Sequence, residues 1–487
     1  MPGNTNRHST GKIFTNNSYS NHLLKFVSNY LTLMRKAFKA YDIRGVYNRD
    51  FNGQDVYKIG FFLPGLLGAE TVLVGHDVRV SSPEILEFLC KGITDAGADV
   101  QVAGKCTTPM IYWATARYNF KASVMITASH NPAEYNGLKI SREEALPVGF
   151  DTGLSELLEM AEGYPVVPAE VPGTYTEFDF KKDYLQFLSQ YKNDTGDLKI
   201  AIDCSNGMGS LLIRELFGER PLYIYDTPDG TFPNHQPNPL EQENVEDLKK
   251  LVIKEQCDIG LIFDGDADRV MFVDEKGNFI QPDMMIAVLA GYFAGKGFHG
   301  PALQDIRTSR SVTEYVEDQG FSMHMWRVGR AYAALKLREI NGVFGGELAG
   351  HYYFRDFYYS DSAYLAALII LGEVKKFHDQ GISLSALIAS ISKYAGTGEM
   401  NFPVSRKQEA MDALKQAFMA DETPAAFYDF DGYRIEFRDW WFNVRPSNTE
   451  PYLRFLAEAS NAGLLKSKTQ QALRILAPYI EENGHAH

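Results

Sequence analysis

Cysteine is scarce in this chain, with four in 487 residues. None of Cys90, Cys106, Cys204 and Cys257 forms a C-x-x-C pair. That excludes a disulfide framework as the basis of the fold, and a reducing cytoplasm is the expected compartment. Long apolar runs are also missing. No stretch approaches the roughly 18 residues of a membrane span, so no membrane partner is expected. Positive charge is in deficit, with 48 basic against 62 acidic side chains and a net charge of −14. Such a surface repels nucleic acid and anionic lipid, and neither is an expected partner. A phosphorylated substrate meets the same repulsion, so any site for one must gather its own cations. Residues 1–41 lack Asp and Glu altogether and are rich in Asn and Ser. An acid-free, Ser-rich opening can resemble an organelle transit peptide. The simpler expectation is a disordered extension over 1–33, with one short helix at Leu23–Leu33.

What is present is the composition of a well-packed globular protein, 45% hydrophobic and 13% aromatic. A chain of this length exceeds one compact core, which implies about three to four domains. Short apolar runs alternate with helical stretches. Thr71–Val74, Asp99–Val102 and Ser123–Ile126 read as strands, separated by helices near 82–96 and 110–118. Ser81-Ser82-Pro83 suits the cap and first turn of the first helix. The alternation resumes with strands at Leu198–Ile202, Asp258–Phe263, Ala302–Gln304 and Gly342–Phe344, each followed by a polar loop. This pattern predicts α/β units whose ligands bind at the carboxyl ends of the strands. Beyond them, Gly432–Phe437, Asp439–Val444 and Arg454–Ala459 read as strands, with a helix over Lys466–Glu482, giving an α+β module. The expected architecture is three α/β domains with mixed, largely parallel sheets at 34–172, 173–278 and 279–397. A smaller α+β domain follows at 398–487, and the four surround a central cleft. Asp226–Pro239 holds four prolines and reads as an ordered loop.

Two segments carry chemistry. Asp264, Asp266 and Asp268 stand at alternate positions between apolar runs, and hard carboxylate oxygens gathered in this way suit Mg²⁺. An EF-hand is excluded, because Arg269 occupies the position that needs glycine. Like charges repel, so a bare acidic turn is a costly alternative. The second segment is Ile126-Thr127-Ala128-Ser129-His130-Asn131-Pro132, a hydroxyl nucleophile directly after a strand. Serine needs activation by a base or a metal. Neighbouring side chains seldom point the same way, so a direct Ser129–His130 bond is not expected. Lys139 lies ten residues on, and a desolvated lysine near metal charge can be a general base. A hydrolase elbow is excluded, since no G-x-S-x-G surrounds the serine.

These segments resemble the phosphoserine and metal loops of the α-D-phosphohexomutases, the superfamily of phosphomannomutase and phosphoglucomutase. The resemblance runs from about Lys39 to the terminal helix. It includes Tyr41-Asp42-Ile43-Arg44-Gly45, the sugar-loop segment Gly346-Glu347-Leu348-Ala349-Gly350-His351, and the phosphate-loop segment Arg445-Pro446-Ser447-Asn448-Thr449-Glu450-Pro451.

The resemblance implies that Ser129 carries a phosphoryl group and joins Asp264, Asp266 and Asp268 around Mg²⁺. It implies interconversion of hexose 1- and 6-phosphates of mannose and glucose through a hexose 1,6-bisphosphate, by a monomer or homodimer. Lys139, His130 and Arg44 would share the catalytic work. Glu347, Ala349, His351 and Tyr41 would meet the sugar. Arg445, Ser447, Asn448 and Thr449 would clamp the resting phosphate, with Arg307, Arg330 and Arg269 adding charge. Three positions depart from the family pattern: Ala349 stands where Ser is common, Arg330 where His is common, and Arg307 where Lys is common. Phosphoglucosamine mutase and a metal-dependent sugar phosphatase are the competing activities.

Overall fold

The computed structural model describes residues 34–447 and 452–481. The expected extension, its helix, Asn448 and Thr449 lie outside the described residues. Four sheets follow one another along the chain. The first contains β1 (Ile43–Val46), β2 (Thr71–His76), β3 (Asp99–Lys105), β4 (Ala122–Ile126), β5 (Tyr135–Arg142) and β6 (Tyr175–Glu177), in the order β1-β5-β4-β2-β3-β6. Its β2, β3, β4 and β6 run parallel, while β5 pairs antiparallel with both β4 and β1. The second contains β7 (Ile200–Asp203), β8 (Leu222–Ile224), β9 (Ile259–Phe263), β10 (Val270–Asp274) and β11 (Phe279–Ile280), in the order β11-β10-β9-β7-β8. The third contains β12 (Gly300–Asp305), β13 (Phe321–Trp326), β14 (Phe344–Gly346), β15 (Tyr352–Phe354) and β16 (Ser360–Asp361). Both sheets combine parallel and antiparallel pairs. The fourth contains β17 (Ala395–Gly396), β18 (Met400–Pro403), β19 (Ala426–Tyr428), β20 (Tyr433–Glu436), β21 (Trp440–Pro446) and β22 (Tyr452–Ala459), all paired antiparallel. The expected fold class is the observed one.

The sheets cross the expected division points. β6 joins the first sheet although it lies past residue 172, and β11 joins the second past 278. β17 precedes 398 yet pairs with β22. Propensity alone does not say which neighbour a short strand will find.

Local signals behave as physics requires. Asn52 caps the helix Gly53–Leu67 in a capping box with Asp55, and Gly68 ends it in the left-handed region. Ser81 makes no side-chain cap on the helix Ser82–Asp95; its hydroxyl accepts from Asn136 instead. The first core packs Val72, Val74, Val100, Val124 and Ile126 under the helices. A second core is continuous from the second sheet into the third, where Phe263 meets Tyr364 at 5.6 Å between ring centroids. Tyr364 lies on the helix Ala363–His378, and its hydroxyl donates to the carbonyls of Met208 and Gly209. The fourth domain docks onto the third through buried polar contacts. Glu458 receives the Arg310 N–H, and Arg434 donates to the carbonyls of Ile306 and Thr308. No helix among the described residues is long and apolar enough to cross a membrane.

Candidate active site

The buried strand β4 delivers the chain to Ser129. Thr127 Oγ1 accepts the Ser129 N–H at 2.9 Å, and Ser129 turns into the left-handed region with φ 52°. That conformation is uncommon for a residue with a Cβ. It swings the side chain so that Oγ donates to Asp264 Oδ2 at 3.0 Å and lies 3.2 Å from His130 Nδ1. The Ser129–His130 contact was not expected from their adjacency, and the left-handed turn accounts for it. His130 is half-buried; desolvation, with Arg269 and Arg44 nearby, pushes its pKa well below the ordinary imidazole range. The ring is therefore neutral near pH 7. Arg44, on β1, donates to Asn131 Oδ1 at 2.9 Å and pairs with Asp42.

Asp264–Arg269 joins β9 to β10, which pair as an antiparallel hairpin. Ala267 makes the left-handed turn at φ 58°. The three carboxylates are buried, and a ligand oxygen from each lies within 4.8 Å of the others. Oδ1 of Asp266 and Oδ1 of Asp268 are buried without a hydrogen-bond partner among the described residues. Buried carboxylate oxygens left in this state want a cation, and hard oxygen donors fit Mg²⁺. Burial, then Asp268 and Asp266, push Asp264 above the usual carboxylate range. Asp268 is equally buried, yet Lys139 and His351 hold it well below that range.

Lys139 comes from β5, beside β4 in the sheet. Its Nζ lies 2.7 Å from Asp266 Oδ2 and 2.5 Å from Asp268 Oδ2. Burial works to lower its pKa, but the two carboxylates raise it well above the ordinary lysine value. The general base expected here is therefore a held ammonium in this state, because the carboxylates keep its proton. Thr108, at the start of the helix Thr108–Arg117, also binds Asp266 Oδ2, and its N–H donates to the Asp266 carbonyl.

Glu347 and His351 follow β14 in the third domain. Glu347 Oε1 accepts the Gly329 N–H at 2.6 Å; Oε2 accepts from Tyr353 at 3.0 Å and faces His351 Nδ1 at 2.9 Å. Against its burial, these contacts hold Glu347 well below the usual range. Arg269 Nε lies 3.2 Å from His351 Nε2, which brings the metal loop against the sugar loop. Ala349 is half-buried in the turn between them. Tyr41 stands between the first and third domains. Its hydroxyl donates to the Val328 carbonyl at 3.3 Å, and its ring meets Tyr332 edge-on.

Of the expected phosphate cations, Arg307 and Arg330 are occupied. Arg307 chelates Asp305 and reaches Glu399 Oε2 at 3.3 Å. Arg330 stacks on Tyr112, 3.4 Å from the ring centroid, and pairs with Asp361 at 3.1 Å. Arg330 thus bridges two domains at the place where it was expected to add positive charge to the cleft. Arg445 is buried on β21 opposite Arg454 on β22, and its Nε has no partner among the described residues. Ser447 is buried at the end of β21.

Several participants escaped the reading of the sequence. Arg79, Thr108, Tyr112, Asp361 and Glu399 all touch residues singled out above. Asp77-Val78-Arg79, directly after β2, was the legible signal, since it is a polar segment at a strand's carboxyl end like the others.

Family models match four successive stretches of the chain. They are those of phosphoglucomutase/phosphomannomutase alpha/beta/alpha domain I at residues 35–160, domain II at 182–277, domain III at 281–394 and the C-terminal domain at 399–474. The chain belongs to the phosphoglucomutase/phosphomannomutase family. It is accordingly a phosphohexomutase, an isomerase. Phosphomannomutase of Methanocaldococcus jannaschii is 35% identical over 448 residues, covering 90% of this chain and 97% of the relative. Phosphomannomutase of Escherichia coli is 34% identical over 453 residues, covering 90% and 98%. A phosphoglucomutase/phosphomannomutase family protein from Burkholderia thailandensis has a solved structure that superposes with a TM-score of 0.81 at 27% identity. It covers 92% of this chain and 99% of that one. N-acetylphosphoglucosamine mutase of Aspergillus fumigatus, solved with GlcNAc-6P and magnesium, shares the fold at 14% identity and a TM-score of 0.58, with 93% and 98% covered.

Proposed function

We propose that the chain interconverts the 1- and 6-phosphates of mannose and glucose by way of a phosphoryl group carried on Ser129. The observation that carries this reading is Ser129 Oγ held 3.0 Å from Asp264 in the family's metal loop. The names of relatives more than 30% identical along most of the chain support the substrate class.

Ser129 gives its phosphoryl group to the free hydroxyl of a bound hexose monophosphate. The Oγ–phosphorus bond breaks, a bond to the sugar oxygen forms, the sugar hydroxyl's proton passes to the acid–base group, and Ser129 Oγ takes up a proton to end as a free hydroxyl. The resulting hexose 1,6-bisphosphate turns round, and its other phosphate returns to Ser129. Asp264, Asp266 and Asp268 would hold Mg²⁺, which when bound withdraws charge from the phosphoryl group and competes with Lys139 for the carboxylates. Neutral His130 is in the state to accept a proton beside Oγ, and Arg44 is the fixed positive charge next to it. Lys139 serves as the acid–base group on the sugar hydroxyl once the carboxylate field on it is relieved. Glu347 can exchange its present donors for vicinal sugar hydroxyls, which orients the ring without fixing which end reacts. Arg445, Ser447, Asn448 and Thr449 clamp the resting phosphate. The four cysteines are free and buried, in keeping with work in the cytoplasm.

Ser129→Ala is expected to abolish turnover of mannose, glucose and glucosamine 1-phosphates while the circular dichroism stays native. Normal turnover by that variant would refute the phosphoserine. Steady phosphate release by the native protein would instead identify a phosphatase.

A further inference from the structure

One side chain outside this set holds the nucleophile loop from behind. Arg79 is 1% exposed and lies just past β2. Its guanidinium offers five N–H donors, and all five are used. Nε donates to Asp77 Oδ2 at 3.1 Å. One terminal nitrogen donates to the carbonyls of Pro132 at 2.6 Å and Tyr135 at 3.0 Å. The other donates to the carbonyls of Ser129 at 2.8 Å and Asn131 at 2.7 Å. Four carbonyls from one seven-residue stretch thus converge on one planar group. Phe232, from the proline-rich loop of the second domain, lies over it at 5.0 Å.

We infer that Arg79 is a positioning residue for the phosphoryl shuttle, fixing the Ser129 carbonyl and thereby the direction of Oγ toward Asp264. The inference rests on Ser129 being the phosphoryl carrier. With φ of Ser129 in the sparsely populated left-handed region, the bonds around its Cα are set once the carbonyl direction is set. The same carbonyl also closely approaches Gly265, where an added Cβ would lie 2.5 Å from that oxygen. The carbonyl therefore meets both a guanidinium in the first domain and the backbone of the metal loop in the second. Lysine cannot substitute, because an ammonium has three donors radiating from one point. Phe232 makes the grip depend on the second domain being seated.

The test compares the native protein with Arg79→Lys and Phe232→Leu. Three quantities are read: kcat and KM for glucose 1-phosphate, the rate of ³²P transfer from glucose 1,6-bisphosphate to Ser129, and thermal unfolding. A misplacement of the reacting atom of about 1 Å costs about 100-fold. Arg79→Lys should lose roughly that much in kcat and in labelling rate while KM stays within about threefold, because the phosphate clamp is untouched. Phe232→Leu should lose about threefold to tenfold in kcat with an unchanged KM, a loss of about 1 kcal/mol of cation–π support converted at RT. If Arg79→Lys fails to fold, the Phe232→Leu split between kcat and KM decides. A well-folded Arg79→Lys with native kcat, or a Phe232→Leu that changes KM alone, would overturn the assignment. An unlabelled Ser129 in the native protein would overturn the shuttle itself, and the inference with it.

Discussion

Gly265→Ala should uncouple the nucleophile from the metal loop at the cost of one methyl group. Gly265 lies between Asp264 and Asp266, and a Cβ built there falls 2.5 Å from the Ser129 carbonyl oxygen and 3.3 Å from Pro237 Cβ. Ordinary contact begins at 3.4 Å, so the two loops must part by roughly 0.9 Å. The metal loop is held, because Gly207 packs closely on Gly265 and the Met208 N–H donates to its carbonyl at 2.9 Å. The opening therefore falls between Ser129 and Asp264, now 3.0 Å apart, and takes them to roughly 3.9 Å, beyond hydrogen-bond reach. Displacement of this size costs about 100-fold in rate. The assay is steady-state conversion of glucose 1-phosphate with saturating Mg²⁺, alongside Mg²⁺ titration calorimetry and thermal unfolding. Gly65→Ala is the control, since a methyl there meets nothing within 4 Å and the site is an exposed helical position. A Gly265→Ala protein that folds and turns over within about twofold of native would refute the claim that this approach sets the reacting geometry.

Two further substitutions read other parts of the molecule. Asp283 is buried beside Glu458 and Asp305, and burial outweighs the Ser309 N–H bond to carry its pKa from 3.8 to about 7. The folded state thus binds a proton that the unfolded chain releases, so this contribution is full below 3.8 and is lost as pH rises through about 7. Asp283→Asn should flatten the decline of thermal stability with pH by about 1.4 kcal/mol for each pKa unit relieved, and an unchanged slope would refute it. Ala349→Ser restores a hydroxyl in the sugar loop; one added hydrogen bond of about 1 kcal/mol should lower KM about fivefold for the hexose it meets. Equal effects on mannose, glucose and glucosamine 1-phosphates would refute a role for this position in sugar choice.

The parts of the site that were legible in the sequence are those fixed by local rules. Alternating apolar runs located the strands, and each strand's carboxyl end marked a polar loop. Asp264, Asp266 and Asp268 converge because they occupy one hairpin connection. What could not be read was contact between loops distant in sequence. Arg79 meets Ser129 across 50 positions, and Thr108 meets Asp266 across 158. No periodicity encodes such pairs. The protonation of Lys139 was hidden for the same reason, since it depends on carboxylates 127 and 129 positions away. The partners of Arg330, Tyr112 and Asp361, were likewise not legible, since each is distant from it in sequence.

The same pairings resolve the conflict between a net charge of −14 and a phosphorylated substrate. Arg445 and Arg454 stand opposite each other in the β21–β22 register, an arrangement that like charges oppose. Glu399 relieves it, accepting from Arg454 at 2.8 Å and from Arg307 at 3.3 Å. It lies between β17 and β18, at the passage from the third domain into the fourth. On the proposed function an arriving phosphate meets Arg307 and Arg454 already shared with Glu399, and it replaces part of that share. On the proposed function the clamp's affinity is a difference, arginine–phosphate bonds gained against arginine–carboxylate bonds loosened. A clamp of that kind holds a phosphate less firmly than its arginine count suggests. Such moderation suits a reaction in which the bisphosphate must let go of the clamp, turn round and be taken up again by its other end.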